Sequence, residues 1–228
     1  GEKINKYKEG KIMSKKVLLA GESWMSNTTH TKGFDSFFTG VYETGETLLV
    51  EALEANGYDV TFLPNHLAGE KFPFSLEELK EYDCIILSDI GANTLLLPAV
   101  TFSKSVKMPN RTKIIRDYVL DGGSLLMIGG YLTFSGVDAK GKWHDTAVQD
   151  VLPVEILTVD DRMEHCEGVK PVTIKEHKAL QGVGSDWPEV LGYNKTVAKP
   201  EADVVATIEG DPFIAFGEYG KGRSAVFT

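Results

Sequence analysis

From residue 14 onward, apolar positions fall into short continuous runs separated by stretches with a helical period. The runs are Val17-Leu-Leu-Ala-Gly21, Tyr58-Asp-Val-Thr-Phe-Leu-Pro64, Asp83-Cys-Ile-Ile-Leu-Ser88 and Ser124-Leu-Leu-Met-Ile-Gly129. The first and last of these, bounded by turn residues, read as buried strands, the second as a β-branched and aromatic strand, and the third as an apolar strand. Between them Leu48, Leu49, Ala52 and Leu53 share one helical face, as do Ile114, Ile115, Tyr118 and Val119. The punctuation agrees. Thr44 is the expected cap of the first helix and Asn56-Gly57 its left-handed stop. Ser75 with Glu78 forms a capping-box pattern, and Met108-Pro-Asn110 opens the helix that ends at Gly122-Gly123. Strands alternating with helices predict right-handed crossovers and a mostly parallel, doubly wound sheet.

After Gly136 the period changes. Residues 143–151 make a short helical candidate, and 153–159, 172–175, 204–208, 213–216 and 224–227 read as strands. Glu209-Gly-Asp-Pro212 and Tyr219-Gly-Lys-Gly222 supply turn chemistry, so this half is expected to end in antiparallel hairpins. Two connections, 22–43 and 90–109, are far longer than the few residues usual between a strand and a helix. The first carries Trp24, His30, Lys32, Phe34, Asp35, Phe37, Phe38 and Tyr42. That is the make-up of a lid or binding loop, or of an Ω-loop packed on its own aromatics.

Composition narrows the class. At 228 residues the chain suits one domain, and a formal net charge of −9 speaks against a nucleic-acid partner. Cys84 and Cys166 are too few and too far apart for a zinc module, so no metal is expected. Cys84 lies in an apolar strand, where a buried thiol is the default. Residues 1–13 form a lysine-rich polar extension without the apolar region of a signal peptide, and the domain is assigned to 14–228. No apolar run reaches the ~18 residues of a membrane span. A reduced, cytoplasmic location with no membrane partner is the expectation.

Ligands of open α/β sheets gather beyond the carboxyl ends of the strands. Those ends present Glu22-Ser23-Trp24, Asn65-His66, Ser88-Asp89 and Gly130-Tyr131-Leu-Thr133. Convergence on one crevice is predicted, with a small polar molecule as its occupant. Glu22, His66 and Asp89 are the candidates for proton transfer, histidine having a reference pKa near ~6.5. Ser23, Trp24, His30, Ser88, Gly130, Tyr131 and Thr133 are the candidate ligand contacts. Helix caps and turns use the same residue types, so both readings stand. Other clusters point to bland roles. Asp160-Asp161 with Glu164 reads as a solvated acidic hairpin tip before a cation site, and His177 as a surface turn residue. His165 and Cys166 are adjacent, so in an extended segment they point to opposite faces. His144-Asp145 fits either a cap or a pocket wall. Gly21-Glu-Ser23-Trp-Met25 lacks the second glycine of a serine nucleophile elbow. Residues 217–223 lack the Lys-Ser/Thr ending of a phosphate loop and sit between strands. No cofactor is expected.

Leu125-Leu-Met-Ile-Gly-Gly-Tyr131 resembles the class I glutamine amidotransferase-like superfamily. Within it the chain is most similar to the glutamine amidotransferase-like proteins neighbouring the trehalose-utilisation (ThuA-like) group. Gly21-Glu-Ser-Trp24, His30-Thr-Lys-Gly-Phe-Asp35, Leu87-Ser-Asp-Ile-Gly91, Leu191-Gly-Tyr-Asn194 and Phe216-Gly-Glu-Tyr-Gly-Lys-Gly-Arg223 carry the resemblance across nearly the whole chain after residue 15. It implies a flavodoxin-like α/β fold: a doubly wound, mostly parallel sheet, helices on both faces, and C-terminal antiparallel β-hairpins.

The superfamily also implies a Gly-x-Cys-x-Gly elbow with a nucleophilic cysteine, assisted by a histidine and a glutamate from the C-terminal part. The matching positions are Gly129-Gly130-Tyr131-Leu132-Thr133, with tyrosine in the cysteine's place and the second glycine missing. A phenol near pKa ~10 is about one part in a thousand ionised at neutral pH, against a few per cent for a thiol near ~8.5. The chain stops inside a strand pattern, Ser224-Ala-Val-Phe-Thr228, where relatives are expected to continue with a histidine-bearing loop and a closing helix. The domain is therefore expected to be cut short there. The leading expectation is a ligand-binding domain without the cysteine nucleophile. The alternative is a hydrolase or carbohydrate-modifying enzyme using His/Asp/Glu acid–base chemistry in the same crevice. Self-association into a homo-oligomer is a third expectation.

Overall fold

The structure is a computed structural model describing residues 14–228, so the polar extension assigned to 1–13 lies outside the described residues. In chain order the first half runs β1 (Lys16–Gly21), β2 (Ser23–Lys32), β3 (Asp35–Thr44), α1 (Thr47–Ala55), β4 (Asp59–Pro64), α2 (Asn65–Lys71), α3 (Leu76–Leu79), β5 (Cys84–Ser88), α4 (Ala92–Leu96), α5 (Ala99–Lys104), α6 (Arg111–Leu120) and β6 (Ser124–Ile128). The second half adds β7 (Val154–Ile156), β8 (Arg162–Val169), β9 (Val172–Thr173), β10 (Val190–Asn194), β11 (Thr196–Ala198), β12 (Asp203–Ile208), β13 (Asp211–Tyr219) and β14 (Gly222–Phe227).

One eight-stranded sheet, in the order β4-β1-β5-β6-β14-β13-β12-β9, organises the molecule. Its first five members are parallel; β13, β12 and β9 continue it antiparallel through hairpins. The expected flavodoxin-like α/β fold is what forms. Alternation along each strand divides the core. Leu18 and Ala20 of β1 point into the large cluster with Ala68, Leu79, Ile115 and Val119, beneath α2, α3 and α6. Val17 and Leu19 point the other way, against Leu49, Val50 and Leu53 of α1. Strands covered on both faces need apolar residues at every position, which is why they read as unbroken runs. Register then levels the tips: Gly21 lies opposite both Pro64 and Ser88, Ser88 opposite Ile128, and Ile128 opposite Phe227.

Several expectations need correcting. Residues 22–43 are not a loop but a ten-by-ten antiparallel ribbon, β2 on β3, closed by Gly33-Phe34 with Gly33 at φ 65°. Thr44 ends β3, and α1 starts two residues later from Glu46 without a side-chain cap. The long connection 90–109 holds two short helices, α4 and α5. Of 143–151, only Gln149–Val151 is helical, as a single 3-10 turn. β8 and β10, which pair with each other, carried no apolar alternation to reveal them. The Ser75–Glu78 capping box, the Asn110 cap and the β13–β14 hairpin form as expected.

Arg111 fastens the helical layer. It sits at the first position of α6 with no exposed surface. Its guanidinium donates to the carbonyls of Leu95 (2.7 Å), Ala68 (3.2 Å), Phe72 (3.4 Å) and Thr94 (3.3 Å), and covers the Phe74 ring at 4.3 Å. These carbonyls lie at the ends of α2 and α4, where a cation complements the helix dipole. Burial pushes its pKa down to about 10, with Glu70 opposing the shift, so it stays protonated at neutral pH. Arg111→Met strands four carbonyls, and the expected loss is about 3 kcal/mol, read as a lower urea midpoint at unchanged slope. Arg111→Lys, which lacks the planar fork, recovers only part of that loss.

Candidate functional site

The strand order reverses between β1 and β5, the switch point at which open α/β sheets form their crevice. Both strands leave it through a left-handed residue that is not glycine: Glu22 at φ 45° and Asp89 at φ 44°. Such a conformation is uncommon for a residue with a Cβ and costs of order 1–3 kcal/mol. Just before it, Gly21 has φ 121°, and a Cβ there would lie 1.7 Å from the Ser88 carbonyl oxygen, so the close approach of the two strands requires glycine. Glu22 N–H donates to the Ser88 carbonyl at 3.0 Å, and Gly45 N–H donates to the Glu22 carbonyl at 2.9 Å. The Ser88 hydroxyl donates to Glu22 Oε1. Burial raises the Glu22 pKa. The Ser88 hydrogen bond pulls it back, and the Asp89 and Glu46 carboxylates add to the rise.

Ser23, Ser88 and Thr133 are buried here and spend their hydroxyls on the protein itself. Ser23 Oγ accepts from Asn65 N–H at 2.8 Å, and the Asn65 amide donates to the carbonyls of Ser23 (2.8 Å) and Asp89 (3.0 Å). Asp89 Oδ1 accepts from Leu132 N–H at 2.8 Å, while Asp89 N–H donates to Thr133 Oγ1 at 3.2 Å. Asp89 thereby braces the turn that follows β6. A Cβ on Gly130 would meet Asp89 Oδ1 at 2.8 Å, which keeps that position small.

From the other side the same turn is held by Asn194 and Asp161. Gly130 N–H donates to Asn194 Oδ1 at 2.9 Å, and Asn194 Nδ2 donates back to the Gly130 carbonyl (3.2 Å) and on to Asp161 Oδ1 (2.8 Å). Asp161 also accepts from Ser135 N–H and Gly136 N–H, each at 2.8 Å. The expectation of a solvated acidic tip is therefore corrected for Asp161, which is 1% exposed. Burial raises its pKa, and the donors facing it counter that rise. Its neighbour Asp160 is the solvated member and pairs with Arg162 at 2.8 Å.

Tyr131 stands on this turn without backbone strain. It is not among the described residues with positive φ, and no α-helix follows β6 before the strand β7. A nucleophile elbow is a strained strand-to-helix turn, so this geometry differs from one. Cys84 lies at the opposite end of β5, its thiol pushed up to about 11 by burial, and Cys166 is exposed on β8.

A cavity of about 340 Å³ opens beside Tyr131. The β6 tip and its turn form one wall, β8 at 162–164 and β10 at 190–194 another, and Phe213 and Phe227 complete it, their rings 4.6 Å apart. Arg162, held between Asp160 and Glu164, covers the Tyr131 ring at 5.4 Å. Of the sequence candidates, Gly130 and Tyr131 line this cavity. Glu22, Ser23, Ser88, Asp89 and Thr133 are bound together by the contacts above at the switch point. Trp24 donates to Glu43 at the ribbon base (3.0 Å), and exposed His66 meets the Tyr42 ring edge-on at 5.1 Å. His30 stacks on Phe37 at 4.6 Å, seven residues up β2 from Ser23 and so roughly 23 Å away along the strand. The sequence reading missed Arg162, Glu164 and Asn194 as wall residues; the polar run at 160–164 was the available signal. Among the described residues, no group of three or more His, Cys, Asp or Glu side chains is arranged to hold a metal ion. No helix of the described residues is long and apolar enough to cross a membrane.

One family model, described as "Putative glutamine amidotransferase", matches residues 16–228. Among solved structures, cytoplasmic protein STM3548 from Salmonella typhimurium is 45% identical with a TM-score of 0.89, covering 92% of this chain and 86% of that one. Cytoplasmic protein STM1381 from Salmonella typhimurium LT2 is 44% identical with a TM-score of 0.89, covering 93% and 86%. A ThuA-like protein from Bacteroides uniformis shares the fold at 11% identity and a TM-score of 0.50, covering 97% and 84%. Among curated proteins, none matches.

The Glu22 shift has a measurable sign. With its pKa raised in the fold, the carboxyl keeps its proton to higher pH than in the unfolded chain, so stability falls as pH rises through that window. Glu22→Gln keeps the Ser88 contact and removes the titration. The expected outcome is a variant more stable than the parent near neutral pH, the two converging toward about pH 4, in urea unfolding across a pH series. A stability difference that stays constant over that range would remove the assignment.

Proposed function

This chain belongs to the glutamine amidotransferase family whose model it matches, and from that premise we propose that it binds a small polar ligand at the carboxyl ends of its parallel strands without cysteine-dependent glutaminase chemistry. The observation that carries this reading is the turn after β6. It bears an exposed tyrosine on relaxed backbone, Cys84 lies at the far end of β5, and neither cysteine is among the residues lining the cavity beside that turn.

The cavity beside Tyr131 supports the binding half of the proposal. Its volume falls within the ~300–1,000 Å³ of small-molecule sites. Its chemistry is divided. Arg162, Glu164 and the Tyr131 hydroxyl offer charge and hydrogen bonds on one side, and Phe213 with Phe227 an apolar surface on the other. A molecule with an anionic or hydroxylated end and a short apolar body fits that division. The names of the two Salmonella relatives support a cytoplasmic setting.

A second reading rests on Glu22: a carboxyl with a raised pKa, on strained backbone, at the switch point. There it would act as the acid of a hydrolase or carbohydrate-modifying reaction.

Thermal-shift titration against amino acids, small carboxylates and sugars is expected to find a stabilising ligand. Arg162→Ala and Tyr131→Ala are each expected to weaken it about tenfold, and Cys84→Ala with Cys166→Ala to leave it unchanged. Ammonia release from glutamine that is abolished by thiol alkylation would overturn the proposal. Sustained turnover of the identified ligand, lost about a hundredfold or more in Glu22→Gln, would select the second reading instead.

A further inference from the structure

The β2–β3 ribbon leaves the body at Ser23 and Thr44 and, among the described residues, pairs with no other strand. Ten residues per strand make it about 34 Å long. Every residue of β3 is exposed. A lone two-stranded ribbon is marginal in water. Local contacts steady one face, with Trp24 and Ser26 donating to Glu43 and His30 stacked on Phe37.

Its apolar content is not that of a solvated arm. Phe34 is 101% exposed, Phe38 76%, Val41 56%, Met25 55%, Phe37 47%, and Trp24 and Tyr42 45% each. The register places Phe38, Tyr42 and Met25 on one face and Phe37, Val41 and Trp24 on the other, with Phe34 at the tip. At 150–250 Å² per aromatic side chain, the Phe38 face together with the tip leaves roughly 500 Å² uncovered, within the range of the largest and often functional patch on a monomer. A copy that buries it while pairing a strand edge forms an interface at the small end of the size range. The strand edges also lack every usual protection. No Asp, Glu, Lys, Arg or Pro occurs in 25–31 or 36–42, and the register runs without a bulge from Ser23–Thr44 to Lys32–Asp35.

Charge selects the partner. The chain carries −9, so two copies repel over most of their surface. The ribbon carries only Lys32, Asp35 and Glu43, and its middle none, so it is where like copies approach at least cost. It offers a strongly basic or acidic partner no matching field. Antiparallel pairing of one strand with its own copy is self-complementary about a two-fold axis.

We propose that the β2–β3 ribbon is a self-association arm that packs on the same ribbon of a second copy of this chain across a two-fold axis, covering Phe34, Phe38 and Met25 and pairing a free strand edge. The ribbon lies outside the core clusters, so substitutions on it test assembly separately from folding. Sedimentation of the described chain from about 1 to 100 µM should show the 25.0 kDa protomer converting to twice that mass. Phe38→Lys with Met25→Lys should raise the dissociation constant at least about tenfold while leaving the urea midpoint at low concentration unchanged. Hydrogen exchange should slow in 23–44 of the parent protein with concentration, and not in the variant. A monomer throughout that range, or a dimer indifferent to the substitutions, overturns the proposal.

Discussion

A carboxylate and an amide hold the turn after β6 in place, and the site's shape follows from that bracket. The turn leaves a buried strand and enters no helix, so its N–H groups have no ladder to join. Buried backbone donors must still be paired. Asp161 can take two of them because an ionised carboxylate only accepts; Asn194 can both accept from and donate to Gly130 because an amide does both. Asp89 completes the bracket from β5. Since Asp161 opens β8 and Asn194 closes β10, the same bonds tie the antiparallel half to the parallel half. The cavity walls at 128–131, 162–164 and 190–194 are thereby fixed relative to one another.

Strain and chemistry are separated in this molecule. The left-handed residues of the crevice are Glu22 and Asp89, side by side at the switch point, while Tyr131 rests in ordinary backbone. Both strained residues are held through their main chains, Glu22 by Ser88 and Gly45, Asp89 by Asn65 and Thr133. Burial, with repulsion from the Asp89 and Glu46 carboxylates added to it, is why Glu22 resists ionisation. A cavity wall and a strained acidic corner thus occupy neighbouring stretches of one row of strand tips.

Legibility in the sequence tracked the cause of each element. Strands buried on both faces are written as apolar runs, which makes β1, β5 and β6 legible, whereas the edge strand β4, alternately exposed, is legible from its β-branched and aromatic residues. Caps with local chemistry, Ser75 with Glu78 and Asn110, were equally plain. The ribbon was not, because threonine and aromatics on both of its faces leave no alternation to read. β8 and β10 are polar and pair only with each other, so their existence depends on tertiary context. Asp161 shows the limit most clearly. Its sequence neighbourhood is acidic and turn-like, and nothing local states that two distant N–H groups and an asparagine 33 residues away will bury it. Arg111 is similar, a cation made internal by carbonyls from the ends of two other helices.

β14 lies between β6 and β13, and Arg223 and Ser124, which face each other across the join, are 99 residues apart. During synthesis the β6 edge therefore waits, open, while the antiparallel half is still being made. At ribosomal speeds of about 5–20 residues per second that delay is roughly 5–20 s, long compared with the time small helical units need to form. An apolar edge left open for that long can pair wrongly until β14 is made, a delay set by the strand order itself.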